Sequence, residues 1–163
     1  MLALFQKYFW VFFISMVPLV ELRGAIPVGV ASGLPLLGTY LVAIVGNMLP
    51  VPVIILFSKQ VLLWCCKLPG KLGRFFQAIY DKGMKAGDKM QQKAGRGLYF
   101  ALFLFVAIPL PGTGAWTGSL AATLLDMDFW PSVFAVACGV LTAGIIMGAL
   151  SAGLFGGLGM LLG

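Results

Sequence analysis

Two ionisable side chains stand where a soluble protein would bury neither. Glu21 and Arg23 are the charges in the run Pro18-Leu19-Val20-Glu21-Leu22-Arg23-Gly24-Ala25-Ile26-Pro27, which is otherwise apolar. A charge at bilayer depth costs about 2.5–3.5 kcal/mol even on the lenient insertion scale, so it normally faces a cavity or a partner. Such a carboxyl can take up and release a proton, and such a guanidinium can hold an anionic group or tune its neighbour. Burial and a nearby cation push a carboxyl's proton affinity in opposite directions. Positions two apart do not share a helix face. Gly24 and Pro27 are expected to break the helix here, which would let both side chains converge on one pocket or lets each meet a separate partner. The alternative is an ion pair that caps a helix end near residue 20.

A second motif is uncharged. Ile108-Pro109-Leu110-Pro111-Gly112-Thr113-Gly114-Ala115-Trp116-Thr117-Gly118-Ser119 is dense in glycine and hydroxyls. Pro109 and Pro111 remove two backbone donors, and Gly112 and Gly114 permit positive φ, so the chain is expected to turn with free amides and carbonyls. That backbone, with the Thr113 and Thr117 hydroxyls, suits either a substrate or ion cavity or a tight contact between helices. It lacks the Lys and the spacing of a phosphate-binding loop. Asn47, before Pro50 and Pro52, either bonds carbonyls that the prolines free or joins the cavity.

The remaining inventory excludes much. There is no His among 163 residues, which removes imidazole ligands, proton shuttles and His-based nucleophile systems. Cys65, Cys66 and Cys138 have no metal-ligand or disulfide spacing, although the adjacent pair could accept a palmitoyl chain. No metal, no cofactor and no enzymatic activity are expected.

What must position these residues is a membrane protein. Hydrophobic residues make up 61% of the chain and charged ones 10%, against about 25% charged in an average soluble domain. Residues 67–96 carry eight basic and two acidic side chains, the whole net charge of +6, and the positive-inside rule puts this stretch in the cytoplasm. Leu68, Leu72, Phe75, Phe76, Ile79 and Met84 recur at roughly helical spacing within it. An amphipathic helix on the inner leaflet and a solvated loop both fit, and Gly83, Gly87, Gly95 and Gly97 argue that the second half is loose. No aromatic stacking pattern interleaves the lysines, so nucleic acid is not an expected partner. Membrane lipids are.

Four apolar stretches flank the basic one, at 2–34, 36–66, 98–125 and 129–162. A spanning helix needs about 20 residues, so each stretch is too long for one crossing and too short for two. Broken helices survive at bilayer depth only when buried in protein or lining a cavity. The reading that meets both constraints is a re-entrant hairpin followed by a transmembrane helix, in each half. Arg23-Gly24-Ala25 stands ninety residues before Thr113-Gly114-Ala115, a faint internal repeat. The expected fold is all-α: two inverted repeats, 1–66 and 97–163, joined by the linker 67–96 in a single multi-pass domain of the inner (plasma) membrane. The rival is five plain helices near 4–22, 25–45, 48–66, 98–120 and 130–150. A cleaved signal peptide over 2–20 is disfavoured, because Lys7 alone supplies a basic region and no small-x-small site follows directly. Gly144, Gly148, Ala152 and Gly156 form a small-residue ladder suited to packing within one chain or across a homodimer, and Trp10, Tyr40 and Trp130 are expected at interfaces.

The motifs Glu21-Leu22-Arg23-Gly24-Ala25-Ile26-Pro27 and Pro109-Leu110-Pro111-Gly112-Thr113-Gly114-Ala115-Trp116 resemble those of the small multi-drug export protein family, over essentially the whole chain. That family is similar to the DedA, or VTT-domain, superfamily. The resemblance implies inverted re-entrant hairpins, Glu21 and Arg23 in the first of them, and work on lipid phosphates or proton-motive homeostasis. DedA proteins generally carry arginines near the second hairpin, whereas residues 109–126 hold none, so a phosphate would depend on Arg23 and backbone amides. The expected function is a proton-coupled secondary transporter that exports or flips a small or lipid-like amphiphile. The alternative is a non-transporting, DedA-like lipid scramblase or membrane-homeostasis factor.

Overall fold

The computed structural model describes residues 2–162 apart from 19, 96 and 111, with side chains described outside 2, 86–94 and 154–162. Eight helices appear among them: α1 (Leu2–Met16), α2 (Glu21–Ala31), α3 (Leu36–Met48), α4 (Pro50–Cys66), α5 (Lys71–Ala94), α6 (Gly97–Ala107), α7 (Ala115–Leu124) and α8 (Phe129–Leu162). The order short, short, long occurs on each side of α5. Leu49 keeps helical dihedrals, and Pro50 begins α4 where its missing amide is tolerated, so α3 and α4 run on as one helix, Leu36–Cys66.

Length separates the helices into two kinds. Leu36–Cys66 and Phe129–Gly153 are long and apolar enough to cross a membrane. At 1.5 Å per residue, the 11-residue α2 and α6 and the 10-residue α7 reach only about 15–17 Å, half of a ~30 Å hydrocarbon core.

The short helices pair off and double back. Lys7 donates to the Ser32 carbonyl at 2.7 Å, so α1 and α2 lie antiparallel with their mouth beside the start of α3. Tyr99 donates to Asp128 at 3.0 Å, so the α6–α7 pair has its mouth beside the start of α8. Lys59, near the end of α4, pairs with Asp126 at that second mouth. The long α3–α4 helix therefore runs from one mouth to the other, and the two turns point toward each other inside the bundle. Five uninterrupted helices are not what forms: residues 25–45 are broken at 32–35, and residues 98–120 are broken at 108–114.

Gly24 and Pro27 do not break the first pair. Helix α2 runs through both, and the turn falls around Val17, Pro18 and Val20 instead. Fully buried Ala25 and Ile26 hold this stretch in the core, and Gly24 admits the Val20 side chain, which would lie 2.4 Å from any Cβ there. Tertiary packing outweighs the propensity of one Gly and one Pro. The second pair does break around Pro109, Gly112 and Thr113; Pro111 lies outside the described residues.

Helix α8 packs on α2, α3 and α6 through small residues. A Cβ at Gly144 would meet the Tyr40 ring at 2.5 Å, and one at Gly139 would meet Val106 at 2.7 Å. The small-residue ladder thus includes an α3–α8 contact within the chain; the Gly156 end of it lies outside the residues described in full. Tyr40 also donates to the Leu141 carbonyl at 3.1 Å.

The basic stretch is helical through Ala94, despite its glycines. Gly83 has a packing role, because a Cβ there would sit 2.7 Å from the Leu124 carbonyl oxygen at the end of α7. Lys89, Lys93 and Arg96 lie outside the residues described in full.

Candidate functional site at the meeting of two helix turns

The turn of each pair exposes backbone groups that the helices cannot satisfy themselves. Helix α6 ends at Ala107 with orphan carbonyls, because Pro109 lacks the amide that would continue the ladder. Helix α7 begins at Ala115 with orphan amides, and its N-cap Gly114 makes no side-chain cap. The first gathers negative partial charge and the second positive.

Glu21 and Arg23 complete these two ends. The Glu21 carboxylate, on a residue only 4% exposed, accepts the Ala115 amide at 3.2 Å through Oε2 and the Trp116 amide at 3.0 Å through Oε1. The Arg23 guanidinium donates to the Leu110 carbonyl through Nη1. Its Nη2 lies within reach of the Ile108 carbonyl (3.1 Å), the Val106 carbonyl (3.3 Å) and the Thr113 hydroxyl (3.1 Å). The acid thus sits on the positive end of α7 and the base on the negative end of α6. No ion pair joins Glu21 to Arg23; each faces a separate partner on the other turn.

The clasp works in both directions. The Trp116 indole N–H donates to the Met16 carbonyl at 3.0 Å, closing the end of α1 from the second turn. Thr113 Oγ1 lies 2.8 Å from the Ile108 carbonyl and 3.0 Å from that of Leu110, which folds the Pro109 turn onto itself.

Local backbone is specialised for this contact. Glu21 has φ +51°, a left-handed conformation unusual outside glycine, as the chain leaves the turn. Gly112 has φ +82°. Gly114 is extended, and its lack of a side chain serves a different need: a Cβ would lie 2.0 Å from Glu21 Oε2. The expectation that Gly114 supplies a positive φ is corrected to one of clearance for the carboxylate.

Two other sequence candidates fall elsewhere. Thr117 bonds back to the Gly114 carbonyl at 3.3 Å, within its own helix. Asn47 is fully buried in α3, and neither its amide nitrogen nor its oxygen has a hydrogen-bond partner, so it does not tie up carbonyls freed by Pro50 and Pro52. Trp116 was the residue that sequence reasoning passed over. Its place directly after the Gly114-Ala115 pair was the available signal.

A cavity of about 480 Å³ between α4, α5 and α7 adjoins the clasp and shares Trp116 with it. Its only opposed polar pair is Ser58 donating to Thr123 at 2.9 Å.

A family model described as "Putative small multi-drug export protein" matches residues 21–146, which begin at Glu21 and take in Arg23 and the second turn. The chain belongs to this family. No curated protein and no solved structure matches it. The family's description names export, and the two helices of crossing length agree with a membrane protein. Among the described residues no His, Cys, Asp and Glu cluster could hold a metal ion.

Proposed function

We propose that the chain is a proton-coupled secondary transporter of the inner membrane that exports or flips a small or lipid-like amphiphile. One observation carries the reading. An ionisable, buried carboxylate is the clasp between the broken helices of two opposed turns. Two amides stabilise the carboxylate form. Protonation replaces an acceptor with an O–H donor, leaving one α7 amide unpartnered and weakening the attraction of that helix end for Glu21. Arg23 stays charged and keeps hold of the α6 end, so a proton loosens one side of the junction while the other acts as a pivot.

In this reading each short pair is a re-entrant hairpin, and 1–66 and 97–163 are inverted repeats about the linker 67–96. The contact between Arg23 and Thr113 supports it, since these positions are equivalent in the proposed repeat and would meet near a twofold axis. The basic α5 then rests on the cytoplasmic leaflet. Short interrupted helices at matching places in two halves are the usual setting of a transporter site.

A second reading is favoured by the density of the bonding, in which Glu21 uses both oxygens and Arg23 both terminal nitrogens, with only Arg23 Nε left unpartnered: the two charges only seal broken helices in a DedA-like scramblase or homeostasis factor. Proteoliposomes separate the two. An inward proton gradient should accelerate movement of amphiphilic cations or fluorescent lipids with the unaltered chain and not with Glu21→Gln. Movement that is insensitive to the gradient in both proteins would support the second reading and end the first.

A further inference from the structure

The cavity beside Trp116 has walls suited to hydrocarbon. Phe57, Phe76, Ile79 and Leu120 line it, and no charged residue does so among those described. The Ser58 and Thr123 hydroxyls bond each other and offer little to a polar ligand. Helix α5 covers one side of it, resting on the end of α7 through Gly83. At 100° per residue, Phe76 and Ile79 mark the covered face of α5. Leu72 stands on that same face one turn earlier and Phe75 at its edge, and at 63% and 61% exposure they form an apolar strip beside the cavity. Lys71 and Lys82 come next, both exposed, with Arg74 and Lys85 beyond. Among the α5 side chains described, Asp81 is the one acid, and it accepts from Gln77 at 3.2 Å. An apolar chamber, an apolar edge and a cationic flank thus follow one another in the order of a phospholipid's chains and headgroup.

We propose that this chamber seats one acyl chain of an acidic phospholipid, whose second chain lies along Leu72 and Phe75 and whose headgroup meets Lys71 and Arg74, neighbours one turn apart and both exposed. The site is separate from the Glu21–Arg23 clasp and does not depend on transport. The two are linked through Trp116, whose ring lines the chamber and whose amide holds Glu21.

The test uses the full chain in phosphatidylcholine nanodiscs. Trp10, Trp64 and Trp130, all exposed, are replaced by Phe so that Trp116 is the only fluorophore. Phosphatidylglycerol brominated on its acyl chains should quench Trp116 at about thirtyfold lower mole fraction than brominated phosphatidylcholine, the preference two headgroup cations supply. Unbrominated phosphatidylglycerol should reverse the quenching. Ser58→Phe, which fills the chamber, should abolish it, and Lys71→Gln with Arg74→Gln should remove the headgroup preference. Equal quenching by the two lipids, or quenching that unbrominated lipid does not reverse, would overturn the proposal. The competition needs no cavity variant, so it stands even if Ser58→Phe fails to fold.

Discussion

Arg23 reaches across ninety positions of sequence to place Nη2 3.1 Å from the Thr113 hydroxyl. Around that contact, a base completes the carbonyl end of α6 and an acid completes the amide end of α7. Of the two arrangements that the sequence leaves open, the charges adopt the second: they are divided between opposite helix dipoles.

This division makes Arg23 irreplaceable by another cation. An ammonium cannot match the planar fork that serves Leu110, Ile108 and Thr113 together. Arg23→Lys should lower stability by about 1–2 kcal/mol and Arg23→Ala by about 3 kcal/mol, as helix-end carbonyls lose their donors. Thermal unfolding in detergent measures both, and equal melting temperatures in all three proteins would refute the capping role.

Gly114 and Gly112 should fail for different reasons. Gly114→Ala drives a methyl into the Glu21 carboxylate and should cost about 1–3 kcal/mol by overpacking. Gly112→Ala meets open space and should cost about 1 kcal/mol through its positive φ alone. Combining Gly114→Ala with Glu21→Ala should recover much of the first loss and none of the second. A double-mutant cycle on melting temperatures reports the coupling.

Asn47 is buried with both polar side-chain atoms unpartnered, a cost that apolar replacement removes. Asn47→Leu is expected to raise stability by about 1–2 kcal/mol. A gain in melting temperature together with slower transport would mark Asn47 as a residue kept for activity at the expense of stability. A loss of stability would mean that it has a partner in the membrane.

The side of Asp126 tests the course of the second helix pair. In the hairpin reading, a cysteine at 126 is labelled from the cytoplasmic side, as is one at Lys82, in a chain lacking Cys65, Cys66 and Cys138. Five plain crossings would instead put position 126 outside. Labelling of 126 from the outside alone would remove the hairpins.

The legible part of this molecule was its mismatch of lengths. Apolar stretches of the wrong size, interrupted by Pro109 and Gly112, imply short interrupted helices, and α6 and α7 are 11 and 10 residues long. The prominence of Glu21 and Arg23 was legible for the same reason, since a charge in hydrocarbon must find company. Which company was not. Spacing along one segment says nothing about amides ninety residues away, so the partners Ala115, Trp116 and Leu110 emerge only from tertiary contact. Gly24 and Pro27 misled for a related reason: their propensities are local, whereas the burial of Ala25 and Ile26 that holds α2 together is not.

The reciprocal clasp also bears on how the chain is made. Glu21 leaves the ribosome long before Ala115 and Trp116, its partners 94 and 95 positions later. Until they arrive, the carboxylate and guanidinium of the nascent first half have only each other, and the helix ends they complete do not yet exist. The first half therefore reaches its final arrangement only after the second half has been synthesised.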